Sequence, residues 1–254
     1  MSADVRLYWI VWVAWALLAA ATVPYLLVRP APYGRHSRAG WGRVVDARLA
    51  WVLMEAPSPL GMILVFLLAH RASNAVALAA LGLWLGHYLY RAFVFPLLLP
   101  PASNPMPIVV LVAGAFFNLV NVYLNGYWLF WLGPVRPVDW LSSWQFVGGT
   151  SLFFFGLLVH TLADHALRHL RQTQNGERGL PRGPLFRWLD CPNYFGEIVE
   201  WFGFALATWS PGGLIFALWT AANLVPRALR HHRWYRETFA DYPASRRAVI
   251  PFVL

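Results

Sequence analysis

Seven stretches of this chain are apolar for long enough to leave water altogether, and short polar segments separate them. They run approximately over residues 8–28, 49–70, 75–99, 107–132, 144–168, 194–210 and 213–229. About 20 mainly apolar residues make a helix that spans a bilayer. The pattern therefore predicts an all-α polytopic membrane protein with seven transmembrane helices. The sixth and seventh are short, and Ser210-Pro211-Gly212-Gly213 between them reads as a tight turn. The first stretch contains Ala19-Ala20-Ala21, which resembles a signal cleavage site. Apolar character continues past it through Tyr25-Leu26-Leu27, and the arginines follow the stretch instead of preceding it, so it reads as a spanning helix. Residues 1–254 show no repeat and no soluble portion, and read as a single integral-membrane domain.

Composition agrees. The chain is 59% hydrophobic and 12% charged, about half the charged share of a soluble domain. Its net charge of +9 comes from arginine alone, without a single lysine. That usage fits a GC-rich, bacterial genome and an inner-membrane location; in a eukaryote the counterpart is the endoplasmic reticulum membrane. The arginines lie in short segments between apolar runs, where topology and anionic headgroups explain them better than nucleic acid does. The first loop holds Arg29, Arg35, Arg38, Arg43 and Arg48, and the fifth holds Arg171, Arg178, Arg182 and Arg187. The tail holds Arg230, Arg233, Arg236, Arg246 and Arg247. The positive-inside rule then places the amino terminus outside and the carboxyl terminus in the cytoplasm. The segment Gln172 to Pro192 becomes a cytoplasmic loop, either a lid over a ligand or a plain connector.

An ionisable residue in a spanning helix costs several kcal/mol, roughly 2.5 or more, unless it is partnered, so such residues mark sites. Helical spacing sorts them into faces. His160, Asp164 and Arg168 follow at four-residue intervals, with Arg171 next on the same side. Asn193, Glu197 and Glu200 share a face of the sixth helix, and Arg227, His231 and Tyr235 share one on the seventh. These groups could simply neutralise one another, but three aligned faces near cytoplasmic helix ends favour a ligand pocket.

A different set lies on the second and third helices: Glu55, then His87, Tyr88 and Arg91. Desolvation drives a carboxyl group in hydrocarbon toward its neutral form, which donates a hydrogen bond. Beside a tyrosine hydroxyl it makes a donor pair suited to a carbonyl oxygen that becomes an enolate. The competing reading is a buried ion pair of Glu55 with Arg91. Asn118, Asn121 and Asn125 on the fourth helix read as interhelical hydrogen-bond glue ahead of substrate contact. The lone Cys191 excludes an internal disulfide, and the histidines lack metal-ligand spacing apart from His160 with Asp164, so no metal is expected. No Gly-rich dinucleotide fingerprint, nucleophile elbow or zinc-protease motif is present.

Longer motifs go further. N-Y-F-G-E-I-V-E-W-F-G-F-A-L-A-T-W-S from Asn193 and H-H-R-W-Y-R-E-T-F-A-D-Y-P-A-S-R-R-A-V-I-P-F from His231 resemble the carboxyl-terminal signature of steroid 5α-reductases. The resemblance extends through P-Y-G-R-H at Pro32, A-W-V-L-M-E-A-P at Ala50 and G-H-Y-L-Y-R-A-F-V at Gly86, so it covers essentially the whole chain. It implies a seven-helix membrane reductase that uses NADPH. Hydride passes to the β-carbon of a 3-oxo-4-ene steroid or related enone lipid, and the enolate is protonated at the α-carbon. The resemblance assigns the ketone oxygen to Glu55 and Tyr88. It assigns the cofactor to Tyr33, Arg91, His160, Asp164, Arg171, Asn193, Arg227, His231 and Tyr235, with Glu197 beside them toward the nicotinamide. Trp51, Met54, Phe117 and Trp201 are candidates to line the substrate cavity. The partners implied are the steroid and the bilayer, and the chain is expected to act as a monomer.

Three positions depart from the mammalian members. Met54 stands where they have glutamine, and His160 stands where they have asparagine. The loop P-P-A-S-N-P-M-P lacks their phosphate-holding arginines, which leaves phosphate to Arg171 and its neighbours. Two other readings remain: an S-adenosylmethionine-dependent membrane methyltransferase of the isoprenylcysteine carboxyl type, and a non-catalytic lipid-binding protein. Glu55 with Tyr88 argues against the first, because methyl transfer needs no carbonyl-polarising pair.

Overall fold

The computed structural model describes residues 2–29, 40–69, 74–100, 103–173 and 179–254, with the side chains of residues 171–173 excluded. Tyr33 and the side chain of Arg171 therefore lie outside the described residues. The helices are α1 (Ala3–Val28), α2 (Ala47–Glu55), α3 (Pro57–Leu68), α4 (Ala75–Leu89), α5 (Ile108–Val122), α6 (Trp144–Thr173), α7 (Pro192–Thr208) and α8 (Pro211–Thr238). Among the described residues, six helical stretches are long and apolar enough to cross a membrane: Ala3–Val28, Ala47–Leu68, Ala75–Leu98, Ile108–Leu132, Trp144–Leu170 and Pro211–Thr238. The remaining helix, α7, has 17 residues, about 25 Å of rise at 1.5 Å per residue. The fold is the all-α polytopic membrane arrangement that the apolar pattern predicts.

Local chemistry explains the boundaries. The Asp46 carboxylate caps α2 by accepting from the amides of Arg48 and Leu49, and Asn74 caps α4 by accepting from Ala77. The second apolar stretch is not one continuous helix: Pro57 starts a new one directly after Ala56. Proline has no N–H to donate and its ring crowds the preceding turn, so the helical hydrogen bonding is interrupted just after Glu55. The predicted turn at Ser210-Pro211-Gly212-Gly213 is tighter than expected. Trp209, at φ 47, makes the reversal, Ser210 caps α8, and both glycines already belong to that helix. A Cβ on Gly212 would overlap the Leu124 carbonyl, so glycine lets α8 start against the neighbouring helix. A two-stranded antiparallel ribbon pairs β1 (Val44–Val45) with β2 (Met106–Pro107), with Val44 opposite Pro107 and Val45 opposite Met106.

Lipid tails are as apolar as leucine, so helix association in a membrane rests on close packing and interhelical polar bonds. The α6–α7 interface is built that way. A Cβ on Gly149 or Gly156 would overlap the backbone of α7, and one on Gly196 or Gly203 would meet the backbone of α6. Backbone contact along both helices brings the polar faces of α6 and α7 together. The neighbouring core is aromatic. Trp201 lies 4.3 Å from Phe216 and 5.5 Å from Trp84 between ring centroids, and Trp84 stacks on Tyr88 at 4.9 Å. Leu60, Leu64, Leu67, Val112, Phe116 and Leu119 are exposed on the outside of α3 and α5, as lipid contact requires.

Candidate active site

Glu55 is the last residue of α2 and is 9% exposed. Its Oε2 accepts a hydrogen bond from Asn118 Nδ2 at 3.0 Å, and its Oε1 lies 3.8 Å from Arg91 Nε. Tyr88 is buried on α4 and donates its hydroxyl to Asn118 Oδ1 at 3.3 Å. Just beyond Tyr88 the helix widens into a π-turn, Tyr90–Val94, closed by the Phe95 amide on the Tyr90 carbonyl. Such widened turns re-aim side chains and recur at functional sites. This one carries Arg91, whose guanidinium lies 4.5 Å from the Trp51 ring centroid and 4.6 Å from that of Phe95. Its Nη1 reaches to 4.0 Å from Asp164 Oδ2. Arg91 therefore spans from Glu55 to the α6–α7 face, and Glu55 and Tyr88 are linked to each other through Asn118.

On that face Asn193 Nδ2 donates to Asp164 Oδ1 at 2.9 Å. His160 Nε2 lies 3.4 Å from Asp164 Oδ2 and 4.0 Å from Glu197 Oε2. Arg168, one turn past Asp164, donates from Nη2 to the Tyr90 hydroxyl at 3.4 Å. Its buried Nη1 has no hydrogen-bond partner among the described residues. Farther along α8, the Arg227 guanidinium sits 5.9 Å from the Tyr194 ring, and His231 Nε2 lies 3.4 Å from the Tyr194 hydroxyl. Tyr235 is buried against Trp234 and Phe239.

The carboxyl-terminal segment fixes this end. Asp190 Oδ2 accepts from the Tyr242 hydroxyl at 2.9 Å and lies 2.6 Å from His232 Nδ1. Arg246 Nη1 lies 3.7 Å from Asp190 Oδ1, while its Nη2 donates to the Pro181 carbonyl. The amides of Asp190 and Cys191 donate to the carbonyls of Arg247 and Ala248. Burial raises the Asp190 carboxyl above its ordinary value despite these partners, and burial followed by Asp190 raises the Tyr242 hydroxyl. Leu180, Phe186, Leu189 and Asp190 of the loop are buried, and Leu189 pairs with Arg247 of the tail. Residues 174–178 of that loop lie outside the described residues.

The chain also matches proteins of known name. A model of the family 3-oxo-5-alpha-steroid 4-dehydrogenase matches residues 104–254. The chain is 41% identical over 227 residues to 3-oxo-5-alpha-steroid 4-dehydrogenase 1 of Rattus norvegicus, covering 88% of this chain and 86% of that one. It is 38% identical over 230 residues to a steroid 5-alpha-reductase of Arabidopsis thaliana, covering 88% and 87%. A steroid 5-alpha-reductase of Gossypium hirsutum is 37% identical over the full length of both chains. The chain belongs to the 3-oxo-5-alpha-steroid 4-dehydrogenase family.

Within this family member, two residues turn away from the grouping their spacing suggests. Glu200 shares a helix face with Asn193 and Glu197, yet its Oε1 lies 2.7 Å from His87 Nδ1 and its Oε2 3.5 Å from His160 Nδ1. His87, next to Tyr88 in sequence, faces Glu200 and the Trp201 ring. His87, His160 and Glu200 thus hold ligand-type atoms within 4.8 Å of one another. Three helices supply them, so no local spacing could reveal the set. Among the cavity candidates, Trp51 covers Arg91 and the Trp201 ring lies 5.7 Å from Tyr88. Phe117 packs toward α1 and α8, 5.7 Å from Trp15 and 5.3 Å from Trp219. Met54 lies against Gly114, where a Cβ would overlap its side chain, and its backbone carbonyl accepts from Asn118 at 2.8 Å. Asn118 makes the interhelical hydrogen bonds expected of it, and they fall on Glu55 and Tyr88. Its position one turn before Asn121 and two turns before Asn125 carries no sign that it meets Glu55 and Tyr88.

Proposed function

We propose that this family member reduces the 4,5 double bond of a 3-oxo-4-ene steroid, or a related enone lipid, with NADPH as reductant. The observation that carries this reading is the buried set of Glu55, Asn118 and Tyr88, joined by hydrogen bonds of 3.0 and 3.3 Å. A ketone oxygen placed there meets a carboxyl group and a phenol where negative charge develops, and preorganised donors of this kind lower a barrier to enolate formation. The relatives' names give the enone a steroid skeleton. When bound, NADPH would supply a hydride, which adds at the β-carbon while the enone's electrons move onto the oxygen. A proton taken up from solvent then adds at the α-carbon, so the double bond is saturated and the ketone restored.

The residues suit a dinucleotide. Asp164 and Asn193 offer an acceptor and an amide at the base of the α6–α7 face, and Arg168 has a buried guanidinium nitrogen still able to donate. Arg227 and His231 supply further cationic or donor groups along α8, toward the arginine-rich side that the positive-inside rule puts in the cytoplasm. Tyr33 and Arg171 are assigned to the cofactor by resemblance. On this reading Trp201 and Trp51 flank the reacting centre. The substrate lies among α2, α4 and α5, and the cofactor between α6, α7 and α8.

The test uses detergent-purified protein with a 3-oxo-4-ene steroid, following NADPH consumption and product mass. A gain of two hydrogens with matching NADPH loss is expected. Methyl transfer from S-adenosylmethionine with no reduction of any enone would replace this reading.

A further inference from the structure

We infer that Asn118 is a positioning residue of the reaction: it decides which oxygen of Glu55 faces the substrate and holds the Tyr88 hydroxyl in place beside it. This rests on the enone-reductase reading above.

Asn118 is 3% exposed, in the middle of α5, and its amide orientation follows from its neighbours. The Met54 backbone carbonyl, 2.8 Å away, can only accept. A flipped amide would set oxygen against that carbonyl and against the carboxyl of Glu55, so the nitrogen must face both. Its two hydrogens are then committed, one to Met54 O and one to Glu55 Oε2 at 3.0 Å. The amide oxygen is left facing Tyr88, which makes the phenol the donor in that contact.

Two consequences follow for a ketone. Glu55 Oε2 is occupied as an acceptor, so Oε1, 3.8 Å from Arg91 Nε, is the oxygen left to meet a substrate. Tyr88 is held by a contact of 3.3 Å, longer than the usual 2.7–2.8 Å for two oxygens. That weak bond keeps the phenol available for a shorter one to an oxygen gaining negative charge. Were Asn118 apolar, the Tyr88 hydroxyl would lose the acceptor that holds it and Glu55 Oε2 would lose its amide donor, so neither group would keep the orientation seen here. The amide beside the carboxyl therefore comes from α5 in this chain, whereas Met54, on α2, contributes only its backbone carbonyl.

The experiment compares native protein with Asn118→Leu and the near-isosteric Asn118→Asp, measuring kcat, the KM of steroid and of NADPH, the pH profile and the melting temperature. Asn118→Leu should lower kcat about 10- to 100-fold, less than removing a direct oxyanion donor at its upper range, with the KM of NADPH within about twofold. Asn118→Asp keeps the acceptor for Tyr88 but loses both donors and sets a second carboxyl beside Glu55. Its kcat should therefore vary with pH across a range where the native profile is flat. Interhelical glue alone would lower the melting temperature and leave kcat and the pH profile of the folded fraction unchanged, which would overturn the inference while the reductase reading stands. Native protein that reduces no enone would remove both.

Discussion

His87 Nδ1 and Glu200 Oε1 lie 2.7 Å apart between α4 and α7, with their side chains 4% and 0% exposed. Removing one member of such a buried pair strands the other without compensation. Glu200→Leu should therefore cost about 3 kcal/mol of stability, read as a large fall in melting temperature in detergent. Glu200→Leu combined with His87→Phe should cost less than the two single losses added together. A strictly additive result would mean that the pair is not coupled.

The chemistry should separate from cofactor binding at Glu55. Glu55→Ala is expected to abolish turnover while NADPH still binds, as followed by equilibrium dialysis. Glu55→Gln should keep more activity than Glu55→Ala if the group serves as a neutral donor, and equal losses would count against that role. Tyr88→Phe should reduce turnover by about 10- to 1,000-fold, the range for one oxyanion donor or somewhat less.

The two glycines Gly148 and Gly156 of α6 should respond in opposite ways. A Cβ at Gly156 would overlap the Glu200 backbone, whereas one at Gly148 meets nothing within 4 Å. Gly156→Ala should force α6 and α7 apart, costing about 1–3 kcal/mol and displacing His160 from Glu200. Gly148→Ala should be neutral or stabilising by up to about 1 kcal/mol through helix propensity. Thermal melts of both variants decide it, and similar losses would contradict the close approach.

At Asp190 the sign of a pH effect is fixed by burial. Its folded-state value is raised, so its contribution to stability is full below the ordinary carboxylate range, near pH 4. It is lost as pH rises through the raised value. The stability gap between native protein and Asp190→Asn should narrow as pH increases from about 4 toward neutrality. A gap that widens over that window would show that His232 and Arg246 outweigh desolvation.

What could be read from the chain in advance was whatever depends on neighbours one turn away. The apolar runs gave the helices, and i, i+4 spacing put His160 with Asp164 and Asn193 with Glu197, whose side chains do face one another across α6 and α7. What escaped was set by contacts distant in sequence. His87 and Glu200 are 113 residues apart, and Asn118 and Glu55 are 63 apart. The break at Pro57 and the π-turn at Tyr90 also escaped, since a continuous apolar run is equally compatible with a straight helix. Both irregularities fall beside the residues proposed to do chemistry.

Arg91 stands 3.8 Å from Glu55 and 4.0 Å from Asp164. One guanidinium shared by two carboxyl groups makes the state of each depend on the other. An anion drawing Arg91 toward Asp164 would weaken its hold on Glu55, and a ketone engaging Glu55 would alter what Asp164 receives. Linkage requires the two effects to be equal in free energy. The two ends of the site are then coupled through a single side chain, with each ligand altering the affinity of the other by the same factor.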